Sequence, residues 1–267
     1  MINLREKKVR TIITKSKLPG ADYTINPYTG CLHNCVYCYA RFMKKFTNHL
    51  ECWGSFVDIK INAPDLIPQN TAKYQGKVIF LSSVTDAYQP LERKYGLTRR
   101  ILQKLIPLQP NLCLQTKSDL VLRDIDLLKQ FKNCEVGLTI TTVDDTLRKE
   151  IEPLASPVSN RIMALEKLQK AGIATYVFIG PILPFLTNWR KIVLKTKCFA
   201  KYFMFENLNI HGTIWLSVKN WLKIKHPQLL KSYEQIYFTP NDYWQKEARA
   251  IKNFCQPLVD CRIYFHH

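Results

Sequence analysis

Long apolar runs are absent from this sequence. No stretch of about 18 consecutive apolar residues occurs, so we expect no membrane-spanning helix and no membrane partner. The first residues, MINLREKKVRTII, lack the apolar core of a secretory signal, so we expect a cytoplasmic protein. Glycine is scarce, with 9 residues in 267, and the sequence has no low-complexity tract or internal repeat. Because 46% of the residues are apolar, we expect a folded unit with a sizeable core.

Acidic residues are few relative to basic residues. The 21 aspartates and glutamates face 39 lysines and arginines, which leaves a formal net charge of +18. A basic excess of this size is typical of proteins that bind phosphate groups, so nucleic acid is one candidate partner. A solvated, lysine-rich surface without such a partner explains the same composition.

Paired cysteine motifs of the kind that hold zinc are also missing. Nine cysteines are present, an odd number with uneven spacing, and a disulfide framework is not expected in a cytoplasmic protein. Three of them crowd together as Cys31, Cys35 and Cys38, in the spacing C-x3-C-x2-C. The other six are scattered and are expected to behave as small buried hydrophobic residues.

Short apolar runs alternate with amphipathic segments through the middle of the chain. An opening strand is predicted near 23–26, and later strands are predicted at 77–83, 111–116, 134–141, 173–180 and 201–208. Helices are predicted between them at 97–106, 123–131, 159–172 and 191–200. This order predicts an α/β fold, a partial (β/α)6-type barrel with a parallel sheet. We expect residues 1–210 to form this core with a basic N-terminal arm, and residues 211–267 to form a helical, aromatic-rich extension of the same domain.

The cysteine triplet suits an iron–sulfur cluster. Thiolates are the usual ligands of such clusters, and three of them leave one iron of a [4Fe-4S] cluster without a protein ligand. That iron is then free to bind the amino and carboxylate groups of a methionine moiety. A structural zinc site is the alternative, with His33 or His49 as the fourth ligand. Zinc usually takes two cysteine pairs, and the sequence has no second pair, so the spacing favours the cluster.

The motif C-x3-C-x-aromatic-C resembles the signature of the radical S-adenosylmethionine superfamily. Within it, the sequence is similar to the DNA repair photolyase branch, which includes spore photoproduct lyase. The likeness covers roughly residues 22–210 and is carried, in order, by NPYTGCLHNCVYCYAR, FVDIKINAPDLI, SSVTDAYQPLERKYGLTR, LQTKSDLVLRDIDLL, VGLTITT, EPLASPVSNRIMAL and FIGPILPFLTNW. The resemblance implies a radical S-adenosylmethionine barrel with Cys31, Cys35 and Cys38 as catalytic cluster ligands. It also implies a [4Fe-4S] cluster and S-adenosylmethionine as cofactors.

Further side chains are candidates for holding S-adenosylmethionine. Lys117 ends a predicted strand, and by resemblance it binds the methionine carboxylate; a surface lysine is the alternative. Thr139 or Thr141 is expected to contact the methionine or the ribose hydroxyls, although threonine is also a common strand former. Tyr37, beside the last cysteine, is able to pack on the adenine ring.

Ser83 and Asp86 stand where many superfamily members place a Gly-Gly-Glu turn for the methionine amino group. Asp86 suits equally well a cap for the following segment. By resemblance, Ser83 falls nearest the hydrogen-donor cysteine of the lyase. An O–H bond is much stronger than an S–H bond, so repair of thymine dimers by the lyase's own route is not expected. Cys113 shares a strand face with Lys117 and is the candidate substitute donor.

Four residues are candidates for contact with the substrate: Tyr39, Tyr88, Glu206 and Asn209. The two tyrosines also suit simple packing. Glu206 is placed to orient a substrate or move a proton at the end of the last predicted barrel strand. A structural ion pair of Glu206 with Arg123 or Arg161 is the alternative.

The resemblance implies an enzyme that takes electrons from a flavodoxin- or ferredoxin-like donor. It would cleave S-adenosylmethionine to a 5′-deoxyadenosyl radical, which abstracts hydrogen from a substrate. Nucleic acid is one substrate class, with lyase-like repair chemistry, and a peptide, tRNA or small metabolite is equally compatible. The alternative from another class is an iron–sulfur binding protein that has no turnover of its own and acts with a partner enzyme.

Overall fold

The computed structural model describes residues 2–69 and 72–266 of the chain. Its strands are β1 (Asn3–Lys7), β2 (Ile13–Lys15), β3 (Tyr23–Ile25), β4 (Tyr28–Thr29), β5 (Phe56–Lys60), β6 (Val78–Leu81), β7 (Asn111–Thr116), β8 (Cys134–Thr139), β9 (Ala174–Ile182), β10 (Tyr202–Asn207) and β11 (Asp260–Tyr264). Its α-helices are α1 (Glu92–Tyr95), α2 (Leu97–Leu105), α3 (Ile125–Leu128), α4 (Asp145–Ile151), α5 (Val158–Lys170), α6 (Trp189–Thr196), α7 (Thr213–Lys225), α8 (Leu230–Phe238) and α9 (Tyr243–Cys255). A 3-10 helix, Tyr39–Phe46, follows the cysteine motif.

An eight-stranded sheet forms the wall of the barrel. Its order is β11-β10-β9-β8-β7-β6-β3-β2, and every neighbouring pair from β3 to β11 is parallel. The edge strand β2 runs antiparallel to β3. The two edge strands are not paired with each other, so the barrel is partial. The predicted α/β fold with a partial barrel is therefore confirmed.

A second, smaller sheet joins the N-terminal arm to the segment around the cysteine motif. Its order is β1-β5-β4, with β1 parallel and β4 antiparallel to β5. The basic arm therefore includes a strand, and β4 ends only two residues before Cys31.

The C-terminal region differs from the prediction in one element. The expected helical character is present in α7, α8 and α9, but the chain then returns as β11, which pairs in parallel with β10 from Tyr202↔Asp260 to Glu206↔Tyr264. The expectation that β10 is the last barrel strand is therefore wrong. The segment DCRIY is short and carries charges at alternate positions, so its pattern has little apolar signal until it lies against β10.

Alternation along the strands separates the core from the barrel interior. In β7, Leu112 and Leu114 are buried among the covering helices, whereas Cys113 and Gln115 face the interior.

The barrel has two ends. We call the end where the parallel strands finish the carboxyl end, and the other the amino end. At the amino end the barrel opens into a cavity of about 730 Å³. Within the described residues, no helix is both long and apolar enough to cross a membrane.

Candidate active site

The cysteine motif begins with a turn that only glycine fits well. Gly30 has a φ of +91°, and a Cβ at this position would lie 2.4 Å from the carbonyl oxygen of Phe56. The absent side chain lets the loop pass directly over β5. Cys31 follows at once, so this turn sets where the first thiol lies.

The loop after β6 holds the start of the motif in place. The Thr85 hydroxyl donates to the Gly30 carbonyl at 2.7 Å, and the Gln89 amide donates to the same oxygen at 3.3 Å. The Gln89 side-chain oxygen also accepts the backbone N–H of Leu32 at 3.0 Å. These bonds fix the motif against the carboxyl end of the barrel.

The three motif cysteines are free thiols grouped at this end. Cys31 and Cys35 are buried, and Cys38 is half-buried. Burial raises the pKa of all three thiols, and the charges of Cys35 and Cys38 raise that of Cys31 further. The side chain of Trp53 lies against Cys38 and lowers the pKa of that thiol. Such a group of thiols, beside an indole N–H, fits the ligand shell of an iron–sulfur cluster.

The described residues do not offer a comparable site for a single zinc ion. Among the residues that the structure describes, no three or more His, Cys, Asp or Glu side chains are grouped to hold a single metal ion. A four-iron cluster spreads its thiolates over separate corners, so it needs a wider spacing than one ion does. His49 is occupied at both ring nitrogens, by Asp58 at 2.9 Å and by Glu51 at 3.1 Å. His33 lies 3.4 Å from Asp86.

Lys117 extends from the end of β7 toward the cysteines. Its ammonium group lies 5.7 Å from the centre of the Tyr37 ring. Burial alone lowers the pKa of Lys117, but the charges of Cys35 and Glu152 outweigh it and raise the pKa. The lysine is therefore held as a cation at the position where a carboxylate ligand is expected.

A buried network, which the sequence analysis missed, lies beside this lysine. Tyr37 donates to Glu152, and its hydroxyl also lies 3.2 Å from that of Thr141. Glu152 pairs with Arg161 at 2.5 Å, and the two side chains are 0% and 1% exposed. Arg161 also donates to the carbonyl of Thr139 at 3.0 Å. Glu152 and Arg161 both lie in the EPLASPVSNRIMAL motif, but their spacing gives no sign that they meet.

Three predicted cofactor contacts have different surroundings. Asp86 accepts from the Thr116 hydroxyl at 2.7 Å and from the Lys117 N–H at 2.9 Å, and it caps the turn at Tyr88 N at 2.8 Å. Burial favours a higher pKa for Asp86, but the pairing with His33 and these donors lower it. The Ser83 hydroxyl bonds to Thr24 and Asn26. The Thr139 hydroxyl is buried without a hydrogen-bond partner among the described residues, as expected of a group awaiting a ligand.

Two of the four predicted substrate residues lie near each other: beside partial burial, the charges of Cys38 and Glu206 raise the pKa of Tyr39. Tyr39 is 49% exposed, and its hydroxyl bonds to the carbonyl of Ser83. Glu206 pairs with His266 at 2.9 Å rather than with either arginine considered above. Asn209 bonds locally to the N–H of His211 at 2.8 Å.

Tyr88 lies inside the main core rather than at an open surface. It has no exposed area and lies 5.9 Å from the guanidinium of Arg123. This position agrees with the packing role considered for Tyr88. Cys113 also lies deeper in the barrel, 3.8 Å from the hydroxyl of Tyr176.

The chain therefore combines a partial parallel barrel with three thiols grouped at its carboxyl end, as expected of a barrel protein that holds an iron–sulfur cluster. The family model of the Radical SAM superfamily matches residues 25–193, and the chain belongs to this superfamily. The superfamily uses a [4Fe-4S] cluster and S-adenosylmethionine, and these are the cofactors of this chain. Its members are enzymes that need an electron donor.

Relatives and solved structures agree with this membership. An uncharacterized protein of Methanocaldococcus jannaschii is 45% identical over 235 residues, which are 88% of this chain and 87% of that protein. An uncharacterized protein of Mycobacterium tuberculosis is 25% identical over 239 residues, 83% of this chain and 70% of that protein.

Two solved structures share the fold. Spore photoproduct lyase complexed with dinucleoside spore photoproduct has a TM-score of 0.72 at 14% identity, covering 98% of this chain and 82% of the lyase. Streptococcus suis SuiB bound to S-adenosylmethionine has a TM-score of 0.54 at 12% identity, covering 91% of this chain and 50% of SuiB.

Proposed function

We propose that the chain reductively cleaves S-adenosylmethionine to methionine and a 5′-deoxyadenosyl radical, which then takes a hydrogen atom from a substrate. The observation that carries this proposal is the group of three free thiols beside Lys117. Cys31, Cys35 and Cys38 would hold the cluster, and three thiolate ligands would leave one iron open to the methionine moiety. When bound, the reduced cluster supplies the electron that breaks the sulfonium carbon–sulfur bond.

The protein's own groups hold the sulfonium substrate. Lys117 offers a charged donor to the methionine carboxylate, and charge-assisted bonds of this kind are among the strongest in proteins. The free hydroxyl of Thr139 is available to methionine or ribose. Tyr37 keeps its ring below Lys117 because Glu152 and Thr141 hold its hydroxyl. We propose that Tyr37 orients the lysine and bounds the adenine site, while the buried pair of Glu152 and Arg161 keeps this wall rigid.

We propose nucleic acid as the substrate class, in a cytoplasmic setting that keeps the nine cysteines reduced. The net charge of +18 supports this, and the lyase with a similar fold is complexed with a dinucleoside photoproduct. We expect the reaction to differ from the lyase's, because by resemblance Ser83 falls nearest the lyase's donor thiol. The Ser83 hydroxyl is already bonded to Thr24 and Asn26. Binding of a labelled oligonucleotide should weaken steeply between about 50 and 200 mM salt. Oligonucleotide binding that does not depend on salt, or no binding at all, would favour peptides or metabolites as the substrate class.

Product analysis tests the central reaction. The reconstituted protein, reduced with dithionite and given S-adenosylmethionine, should form 5′-deoxyadenosine, and a Cys35→Ala variant should form none. A wild-type protein that carries the full cluster and yet forms no 5′-deoxyadenosine would contradict the proposal. That result would favour the alternative of an iron–sulfur protein without its own turnover.

A further inference from the structure

The 3-10 helix Tyr39–Phe46 and the residues after it form an exposed surface immediately beside the cluster motif. Its exposed apolar members are Phe42 at 45%, Phe46 at 68% and Leu50 at 93% exposure. Lys44 and Lys45 add positive charge between them. We call Phe42, Lys44, Lys45, Phe46 and Leu50 the cluster-side patch. Exposed large apolar side chains that lie together mark an interaction surface more often than isolated ones do.

The cluster-side patch is close to the thiols and tied to them. Cys38 is the residue from which the 3-10 helix begins. At a rise of about 2.0 Å per residue, Phe42 lies about 8 Å and Phe46 about 16 Å along the helix axis from Cys38. Arg41, on the same helix, donates to the carbonyl of Cys35 at 2.9 Å. A partner seated on this helix would therefore lie close to the thiols that would hold the cluster.

The rings and the charge make the patch a preformed contact. Phe42 and Phe46 pack edge to face at 6.4 Å, and the Lys45 ammonium lies 5.0 Å from the Phe46 ring centre. The sequence has no acidic residue between Asp22 and Glu51, so the lysine charges are not offset along this stretch. An apolar surface that carries an exposed lysine, Lys45, fits a partner whose docking face is apolar with acidic side chains at its edge.

We propose that the cluster-side patch docks an acidic, flavodoxin-type electron-transfer protein. One electron leaves the reduced flavin of the partner, which is oxidised by one electron, and the cluster is reduced by one electron. No bond forms or breaks in this step. Electron-transfer encounters bury little surface, so a patch of a few exposed side chains is enough. The inference rests on the proposed function, because a protein that cleaves S-adenosylmethionine needs such a donor.

The arrangement of the cations favours a protein partner over nucleic acid here. Arg41 turns inward to the carbonyls of Cys35 and Val36, and the Lys44 ammonium bonds to the Leu50 carbonyl at 2.9 Å. Phosphate binding needs several cations directed outward along a backbone. The patch instead presents apolar rings with a single outward lysine, Lys45.

The variant Lys45→Glu/Phe46→Ser tests the patch. Both side chains are exposed, so the substitutions should not disturb folding. The matched control is Lys223→Glu/Ile224→Ser near the end of α7, where Lys223 is exposed and Ile224 is 76% exposed. The two variants change the net charge equally and remove one large exposed apolar side chain each.

Two readouts are measured with a recombinant flavodoxin of negative net charge: its dissociation constant by fluorescence anisotropy, and the rate at which its reduced form bleaches the cluster. At low salt, the patch variant should bind flavodoxin at least about tenfold more weakly than the wild type, and reduced flavodoxin should reduce its cluster about tenfold more slowly. Both quantities should stay within about twofold of the wild type in the control variant. Wild-type affinity should fall as salt rises. Dithionite should reduce all three proteins equally.

Other outcomes separate the two proposals. Unchanged flavodoxin binding and reduction in the patch variant would overturn the docking proposal, and so would a patch variant that lost only oligonucleotide binding. A wild-type protein that makes 5′-deoxyadenosine with dithionite but neither binds nor accepts electrons from flavodoxin overturns the docking proposal and leaves the proposed function standing. Failure with dithionite in the wild type contradicts the proposed function itself, whatever flavodoxin does.

Discussion

At the carboxyl end of the barrel the charged side chains are enclosed, whereas at the amino end they stand in an open cavity. The pair of Glu152 and Arg161 is 0% and 1% exposed. Its counterpart at the amino end, Glu135 and Lys201, is separated by 3.6 Å, and its side chains are 37% and 68% exposed. Both ends are rich in tyrosine, cysteine and charge. The difference lies in how completely the protein surrounds those groups.

Enclosure is what makes the carboxyl end suited to chemistry. Charge interactions strengthen where water is excluded, so Lys117 and the buried network act on a ligand more strongly than surface groups would. At the amino end, Tyr176 and Tyr202 stack at 5.0 Å, and the Arg262 guanidinium lies 3.7 Å from the Tyr202 ring centre. These contacts attach β11 to the sheet, so we interpret them as structural.

Loss of a motif thiol should abolish iron binding, whereas loss of a thiol at the amino end should leave iron binding unchanged. Cys35→Ala should reduce the iron bound after anaerobic reconstitution to less than about a tenth of the wild-type amount, because a cubane held by two thiolates is labile. Cys134→Ala, at the amino-end cavity, should keep full iron. Iron and sulfide analysis measures this effect. Equal iron loss in both variants would contradict the assignment of the cluster to the motif.

Breaking the buried ion pair should cost far more stability than breaking the exposed one. Arg161→Met leaves Glu152 buried without its partner and should lower the free energy of unfolding by about 3–5 kcal/mol. Lys201→Met should lower it by less than about 1 kcal/mol, because the pair is solvated. Urea unfolding of the apoprotein measures both changes.

A double variant checks the cause. Arg161→Met/Glu152→Gln removes the uncompensated charge and should recover part of the loss. If the double variant is as unstable as the single one, packing rather than charge is responsible.

Removal of the Lys117 charge should weaken S-adenosylmethionine binding while iron content stays unchanged. Loss of a charge-assisted bond worth about 1.5–3 kcal/mol corresponds to a dissociation constant raised about 10- to 150-fold in Lys117→Met. Gln115→Met, two residues deeper on the same face of β7, should change it by less than about twofold. Equilibrium dialysis with labelled S-adenosylmethionine measures both constants. Equal effects at the two positions would remove Lys117 from the binding site.

At the amino end, Arg262→Ala should have only a modest effect. It removes the cation–π contact with Tyr202, which is worth about 0.5–1 kcal/mol at an exposed site. S-adenosylmethionine affinity should be unaltered, because the contact lies at the opposite end of the barrel. Thermal unfolding and dialysis together measure the two effects. A loss of affinity would show that the two ends are coupled.

The exposed pair of His266 and Glu206 should behave like a surface pair although it lies at the carboxyl end. The hydrogen bond to Glu206 raises the pKa of His266 above its ordinary value of 6.5. Its small contribution to stability is therefore complete below the ordinary pKa and disappears as pH rises through the raised one. NMR titration should show the pKa falling toward its ordinary value in Glu206→Gln. A His266 pKa that is unchanged in Glu206→Gln would show that the two side chains do not pair.

The barrel and the thiols were predictable from sequence because their signals are local. Alternating apolar runs predicted the six strands β3 and β6–β10, and the spacing of Cys31, Cys35 and Cys38 predicted the cluster. The strand β11 was missed because its pattern acquires meaning only beside β10, which lies about 50 residues earlier in the chain.

The buried network was not predictable in the same way. Glu152 and Arg161 meet only after the chain folds, and Tyr37 reaches them from a loop more than a hundred residues away in sequence. Tyr88 was a candidate for substrate contact, with simple packing as the alternative. In the structure it lies within the main core, because the folded chain rather than the residue type decides which way a side chain points. A single sequence shows residue types and spacing, but not which distant polar groups satisfy one another.

Three thiols at the enclosed end of the barrel would hold a cluster with one iron open to S-adenosylmethionine. Electron paramagnetic resonance of the reduced, reconstituted protein tests this most directly, with and without S-adenosylmethionine labelled with 15N in its amino group. We predict that the cofactor changes the spectrum and that the label replaces a 14N hyperfine coupling of the cluster signal by a 15N coupling. A spectrum that S-adenosylmethionine leaves unchanged, with no coupling to the label, would contradict the account.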